Sequence, residues 1–268
     1  MEPTQPRFFP GRWANQLRAS LPERAPRLRA ALAYYRYLRQ QSRELAHAGR
    51  DTRPIEELVA ATEEGVVSGI EGHELIDPRL QVGPVVPVQM RDELLALLER
   101  VRDLEPQRLC EIGASAGGTL YLLTRVARPD AVIVSLDIDT PAHTRRAREK
   151  FARESQRVIS VQANSQQLAT RDHVANLLGG AELDFLFIDG DHSYEGVRAD
   201  FELYSGMVRQ GGLIALHDIN PDRRAESGAG PISGEVPRFW RQISGEYRSE
   251  ELIAKPERPG FGIGLLFV

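Results

Sequence analysis

Four side chains suited to holding a cation or moving a proton stand at the ends of two apolar runs. The first run, Leu183-Asp-Phe-Leu-Phe-Ile188, stops at Asp189, and Gly190, Asp191 and His192 follow. The second, Gly211-Gly-Leu-Ile-Ala-Leu216, stops at His217 and Asp218. An acid that ends a buried strand is costly unless something satisfies it. Carboxylates suit Mg²⁺, Ca²⁺ or Mn²⁺, and an imidazole tilts the choice towards a transition metal. A histidine near its free pKa of about 6.5 also suits proton transfer at neutral pH. If the two strands are neighbours, Asp189, His217 and Asp218 converge on one crevice, with His192 three residues after Asp189. His217 has a second account, as a neutral ring bonded to backbone.

From residue 106 short apolar runs alternate with helical patterns. The runs predict strands at 108–112, 131–137, 158–162, 183–188 and 212–217, with helices at 117–127, 140–154, 166–178 and 195–209. Thr140-Pro141 suits an N-cap and first helical residue. Pro87 opens a further amphipathic helix through Leu94, Leu95, Leu98 and Val101. Val236–Tyr247 reads as a late helix, and 251–254 and 261–268 as two closing strands. The alternation predicts an α/β, Rossmann-like, mostly parallel seven-stranded sheet with helices on both faces. Residues 87–268 form this domain. Residues 1–86 form an arm and helical extension, with helical spacing at Leu28, Leu32, Tyr35 and Leu38 and a long loop at 65–86.

In such sheets ligands bind beyond the carboxyl ends of the strands. After the first strand comes Glu111-Ile-Gly-Ala-Ser-Ala-Gly-Gly-Thr119. Its glycines permit a tight turn and close approach of a ligand to backbone, although an ordinary strand–helix turn uses the same residues. It is neither the dinucleotide fingerprint nor a phosphate-binding loop with lysine. Asp137 ends the second strand, where an acid can accept from both hydroxyls of a ribose. Asn164 and Ser165 follow the third strand and serve equally as readers of an adenine or as an Asx turn.

Taken together, Glu111-x-Gly-x-Ser-x-Gly-Gly, Asp137, Phe187-Ile-Asp-Gly-Asp-His-Ser-Tyr-Glu-Gly-Val197 and Gly211-Gly-Leu-Ile-Ala-Leu-His-Asp218 resemble the class I S-adenosylmethionine (SAM)-dependent methyltransferases. Within that class the chain resembles the branch of macrocin-type sugar O-methyltransferases and cephalosporin-hydroxylase-like proteins. The resemblance covers residues 88–268. It implies that Glu111, Gly113, Ser115 and Gly117 line the methionine end of SAM and that Asp137 holds the ribose. Asn164 and Ser165 would lie near the adenine, with Asp189 bordering the cofactor. It also implies a divalent metal, Mg²⁺ or another, on Asp189, His217 and Asp218, and a general base at His192, which Asp191 would orient. An acid is expected at 217 in the metal-dependent sugar enzymes. His217 therefore supports a metal less than the other motifs support the cofactor.

The leading expectation is a SAM-dependent O-methyltransferase acting on a hydroxyl of a small natural product or sugar, metal-assisted, with His192 as base. A metal-dependent hydroxylase-like enzyme on the same fold and a non-catalytic cofactor-binding subunit are the alternatives. The loop from Ile219 to Glu235, rich in glycine, is expected to cover the acceptor, with Glu71, His73 and Glu74 as a second wall. A net charge of −4 argues against nucleic acid as partner. That average divides unevenly, at about +7 over residues 1–53 and about −11 over the rest. The basic arm suits an acidic partner or homo-oligomer contacts through Tyr34, Tyr35 and Tyr37. The single Cys110 excludes an internal disulfide and reads as a buried structural thiol. No apolar stretch reaches the ~18 residues of a membrane span, so a cytoplasmic enzyme is expected.

Overall fold

The computed structural model describes residues 87–140, 142–153, 155–222, 228, 230 and 232–268. The expectations for the arm, its helices and the loop at 65–86 lie outside the described residues.

Helix α1 (Arg91–Leu104) buries Leu94, Leu97, Leu98 and Val101, one stripe at helical spacing. It starts at Arg91 rather than at Pro87. Met90 is extended, and the preceding Gln89 side chain turns towards the strand ends, where it bonds Thr119 and Asp189. Then follow β1 (Arg108–Ile112), α2 (Gly118–Val126), β2 (Val132–Asp137), α3 (Ala142–Glu149), β3 (Arg157–Gln162) and α4 (Leu168–Leu177). The second half holds β4 (Leu183–Ile188), α5 (Tyr194–Tyr204), β5 (Val208–His217), α6 (Val236–Ile243), β6 (Arg248–Leu252) and β7 (Ile263–Phe267).

The seven strands lie in the order β3-β2-β1-β4-β5-β7-β6. Only β7 runs against its neighbours. The expected α/β architecture is therefore present, with α1, α2 and Phe151 packed on one face and α4, α5 and α6 on the other. β4 is buried along its whole length, as its uninterrupted apolar sequence requires. Each large side chain sealed in these layers contributes about 1.5–3 kcal/mol. Cys110 is buried and free, and burial pushes its thiol pKa up, so it is inert packing.

Several element ends differ from expectation. α3 stops at Glu149 rather than 154, because the chain turns to seat Phe151 edge-on against Tyr121. α5 gives way after Tyr204 to a short 3₁₀ turn, Ser205–Met207. β5 begins at Val208 rather than 212, because its pairing with β4 carries a register shift between Leu183 and Phe185. α6 ends at Ile243 rather than Tyr247. The edge strand β6 covers 248–252 rather than 251–254. Its Arg-Ser-Glu-Glu-Leu sequence is mostly exposed and pairs through backbone with β7, so apolar alternation does not mark it.

The chain leaves β1 towards β2 on one side, and β4 lies on the other. The carboxyl ends of β1 and β4 therefore form the switch point at which open α/β sheets bind ligands. No helix among the described residues is long and apolar enough to cross a membrane.

Candidate active site

A cleft of about 720 Å³ opens over this switch point. Gly113, Ser115, Asp137, Asn164, Ser165 and Asp189 line it, six of the eight residues expected around the cofactor. Gly113 sits where β1 crosses β4. At φ +89° it is left-handed, and an added Cβ would lie 1.9 Å from the Asp189 carbonyl oxygen. Only glycine lets the two strand ends meet there.

The other two expected residues lie beneath the cleft. Gly117 precedes α2 at φ +93° and faces Phe151 and Arg148. Glu111 is 1% exposed. Burial pushes its pKa up to about 8 against the opposing pull of Arg148, so it rests protonated at neutral pH.

Asp137 is engaged through both oxygens. Oδ2 accepts from the Ser115 N–H at 2.7 Å and Oδ1 from the Asp139 N–H at 3.0 Å. A carboxylate offers about four lone-pair sites, and Oδ2 also accepts from Arg148, so about one site remains, on Oδ1. Asn164 caps its own turn, its Oδ1 accepting from the Gln166 N–H at 2.9 Å. The Asx turn is thus formed on the wall of the cleft.

At the cleft's inner end stands the acid–histidine cluster. Asp189 Oδ1 lies 3.1 Å from His217 Nδ1 and 3.5 Å from His192 Nε2. Asp218 Oδ2 lies 3.5 Å from His217 Nδ1 and 3.4 Å from His192 Nδ1. Asp218 adopts φ +64°, and its Oδ1 accepts from the Phe261 N–H at 2.7 Å. Gln89 Nε2 donates to Asp189 Oδ2 at 2.7 Å, and Gln89 in turn accepts from the Thr119 hydroxyl.

The donor atoms of Asp189, His192 and Asp218 lie within 4.8 Å of one another. This grouping takes in His192 where the family pattern implied His217. His217 is 4% exposed, and its Nδ1 hydrogen-bonds Asp189. Its Nε2 is buried without a hydrogen-bond partner among the described residues.

Electrostatics alter the expectation of an imidazole near its free pKa. The hydrogen bond with Asp189 raises His192, burial opposes it and Asp218 adds to it, leaving a pKa of about 9. For His217 burial disfavours charge, but Asp189 and Asp218 outweigh it and hold the pKa well above the usual value. The two imidazoles in turn outweigh burial at Asp189 and keep its carboxyl well below the usual range.

Asp191 does not orient His192 through a hydrogen bond. Its oxygens accept from the Ser193 N–H and from Gln166. The orienting group is the Ile232 carbonyl, 2.8 Å from His192 Nδ1. A carbonyl can only accept, so Nδ1 carries hydrogen and Nε2 is the atom free to exchange a proton. The turn around Ile232 is held by the Gly230–Gly234 bridge and by the Glu235 N–H donating to the His192 carbonyl at 2.8 Å.

Gln89, Thr119, Arg148 and the Ile232 carbonyl were not marked by the sequence. Gln89 belongs to no motif, Arg148 sits in an arginine-rich run that resembles a solvated face, and a backbone carbonyl has no sequence signature. Gly234 lies in the 219–235 loop that the sequence marks only as rich in glycine.

Comparison with known proteins agrees with this fold. Residues 110–219 match a family described as a methyltransferase domain. The O-methyltransferase from Bacillus cereus in complex with SAH superposes with a TM-score of 0.56 at 19% identity, over 80% of this chain and 100% of that one. TomG from Streptomyces achromogenes, involved in tomaymycin synthesis and solved with SAM, gives 0.52 at 19% identity, over 87% and 97%. An uncharacterized protein of Acanthamoeba polyphaga mimivirus is 49% identical over 41 residues, 15% of this chain. The match spans 19% of that relative's length. Residues 110–219 thus resemble a methyltransferase domain, and the fold is the one seen in these solved O-methyltransferases.

Proposed function

We propose that the protein transfers the methyl group of SAM to a hydroxyl of a small natural product or sugar. The supporting observation is the double position of Asp189. It borders the cleft and also bonds the imidazole pair, so a cofactor in the cleft would present its methyl beside a group able to take a proton.

Gly113 and Ser115 would accept the methionine end and Asp137 the ribose hydroxyls. Asn164 and Ser165 border the place left for the adenine. Methyl transfer from a sulfonium is an in-line displacement, so the protein must align the acceptor oxygen and remove its proton. Nε2 of His192 is the proton acceptor in this reading. The carboxylates beside it favour the imidazolium once formed. They also make the resting ring a protonated one, which must be freed before it serves as base.

Two carboxylates with imidazole nearby fit a divalent cation of the Mn²⁺ or Fe²⁺ kind better than a purely oxygen-bound Mg²⁺. Asp189 and Asp218 would hold it, with His217 supporting Asp189 from the buried side. Such a cation supplies Lewis acidity that lowers the pKa of the acceptor hydroxyl. Asp189 and Asp218, when shared in this way, hold the His192 proton less tightly.

The turn at 232–235 belongs to the acceptor wall, because it is bound to His192. The test is transfer of labelled methyl from SAM to a panel of hydroxylated acceptors, with chelator, Mg²⁺ and Mn²⁺ arms. His192→Ala is expected to lower turnover at least 100-fold. Turnover within a few-fold of wild type would remove His192 from the reaction. A product whose methyl is on nitrogen or carbon would overturn the hydroxyl reading.

A further inference from the structure

Arg148 lies on α3 in the run Arg145-Arg-Ala-Arg148, yet it is 1% exposed while a solvated face would leave it in water. Its guanidinium reaches beneath the cleft and joins four separate pieces of chain. Nη2 donates to the Ser115 carbonyl and to Asp137 Oδ2, the latter at 3.3 Å. Nη1 lies 3.3 Å from the Thr140 hydroxyl and 3.4 Å from that of Ser160. The turn after β1, the end of β2, the segment leading into α3 and strand β3 are thus tied to one rigid fork.

Burying a guanidinium is unfavourable unless its partners repay the lost hydration. Packing alone gives no reason for it, since an apolar side chain would fill the same space. Nor is the fork fully satisfied. Nε has no hydrogen-bond partner among the described residues, and neither has the buried Oε2 of Glu111. The bonds it does make converge on two residues that line the cleft, Ser115 and Asp137, while Arg148 itself does not line it. Asp137 Oδ2 is shared between Arg148 and the Ser115 N–H, which fixes the plane of that carboxylate and the path of the glycine-rich turn together.

We propose that Arg148 is a positioning residue for the cofactor cleft: it orients the Asp137 carboxylate so that the lone pair left on Oδ1 meets the hydroxyl edge of a ribose. This rests on the reading that the cleft binds SAM. Lysine cannot replace it fully, because a point charge does not hold Ser115, Asp137, Thr140 and Ser160 at once.

The test is calorimetric titration of the full chain with S-adenosylhomocysteine and with its 2′-deoxyribose analogue. Wild type is expected to bind the analogue roughly tenfold more weakly. Arg148→Met is expected to weaken the parent ligand by roughly 10–100-fold and to shrink the 2′-deoxy penalty below about twofold, because Asp137 no longer reads the hydroxyl. Arg148→Lys falls between the two. If Arg148→Met does not fold, as judged by circular dichroism, Arg148→Lys and the pair Thr140→Val and Ser160→Ala carry the same comparison. An undiminished 2′-deoxy penalty in the folded variants would overturn the proposal and leave Arg148 a general support of the sheet. If wild type binds neither ligand, the SAM reading itself fails, and the assignment of Arg148 falls with it.

Discussion

Nδ1 of His192 is 2.8 Å from the carbonyl oxygen of Ile232, forty residues further along the chain. The loop after β5 therefore does more than pass over the site, for its last residues fix which nitrogen of His192 faces Asp189. Gly234 makes this approach possible. A Cβ there would lie 2.3 Å from the His192 carbonyl oxygen and 2.8 Å from its Cβ, at φ +52°.

Gly234→Ala is accordingly expected to displace the turn and misplace the His192 ring. Turnover falls by roughly 10–100-fold, as small misplacements of reacting groups do. SAM affinity stays within about twofold, because the cleft lining is untouched. Kinetics alongside calorimetry check the split, and loss of affinity equal to the loss of turnover would contradict it.

Gln89 joins Thr119 to Asp189 with two bonds of 2.7 Å. Gln89→Leu leaves the Thr119 hydroxyl and one Asp189 oxygen without these partners in a buried setting. Denaturant unfolding should show a loss of about 1–3 kcal/mol. A change below about 0.5 kcal/mol would mean that water replaces both bonds.

Glu111 governs a pH dependence of stability. Its ordinary pKa near 4.5 rises to about 8 in the fold through burial, which Arg148 opposes and which Asp189 and Asp137 reinforce. The folded state therefore binds the proton more tightly than the unfolded chain. The neutral form's advantage is complete below about pH 4.5 and is lost as pH rises towards 8 and beyond. At about 1.4 kcal/mol per unit, the difference across that window amounts to a few kcal/mol. Glu111→Gln should remove this fall, so that the variant gains on wild type as pH rises from 5 to 9. A constant difference between the two unfolding curves would refute the assignment.

Asp184, at the amino-terminal end of β4, tests the opposite end of the sheet. Its Oδ2 accepts from the backbone N–H groups of Gln107 and Arg108 at 2.8 Å each, and Oδ1 pairs with Arg209 at 2.6 Å. Burial opposes its charge, but these donors outweigh burial and lower its pKa. Its stabilisation is thus present above about pH 4 and is lost as pH falls through the folded value. Asp184→Ala should reduce stability by about 2–4 kcal/mol at pH 7 without altering SAM affinity at a temperature where it remains folded. Weaker SAM binding would show that the two ends of the sheet are coupled.

The strands were legible because their chemistry is local. β1 could be bounded to the residue by the glycine-rich turn that follows it and β4 by the acid that ends its apolar run, and Asp137 followed from position. β6 was misplaced because a polar edge strand is defined by pairing with β7 rather than by its own pattern. The convergence of Asp189, His217 and Asp218 could be inferred from strand order. The entry of His192 into that group, and the retreat of His217 behind Asp189, depend on the left-handed turn at Asp218 and on the Ile232 carbonyl. Arg148 shows the same limit, because its burial is decided by groups on β2 and β3 rather than by its neighbours on α3.

The account stands most directly on whether the cleft binds SAM through Asp137. Calorimetric titration of SAM into chelator-treated protein should give micromolar binding in wild type and at least a tenfold loss in Asp137→Ala, with the fold intact. Absence of binding with and without Mg²⁺ or Mn²⁺ would contradict the methyltransferase reading and turn attention to a redox metal or a partner-dependent role.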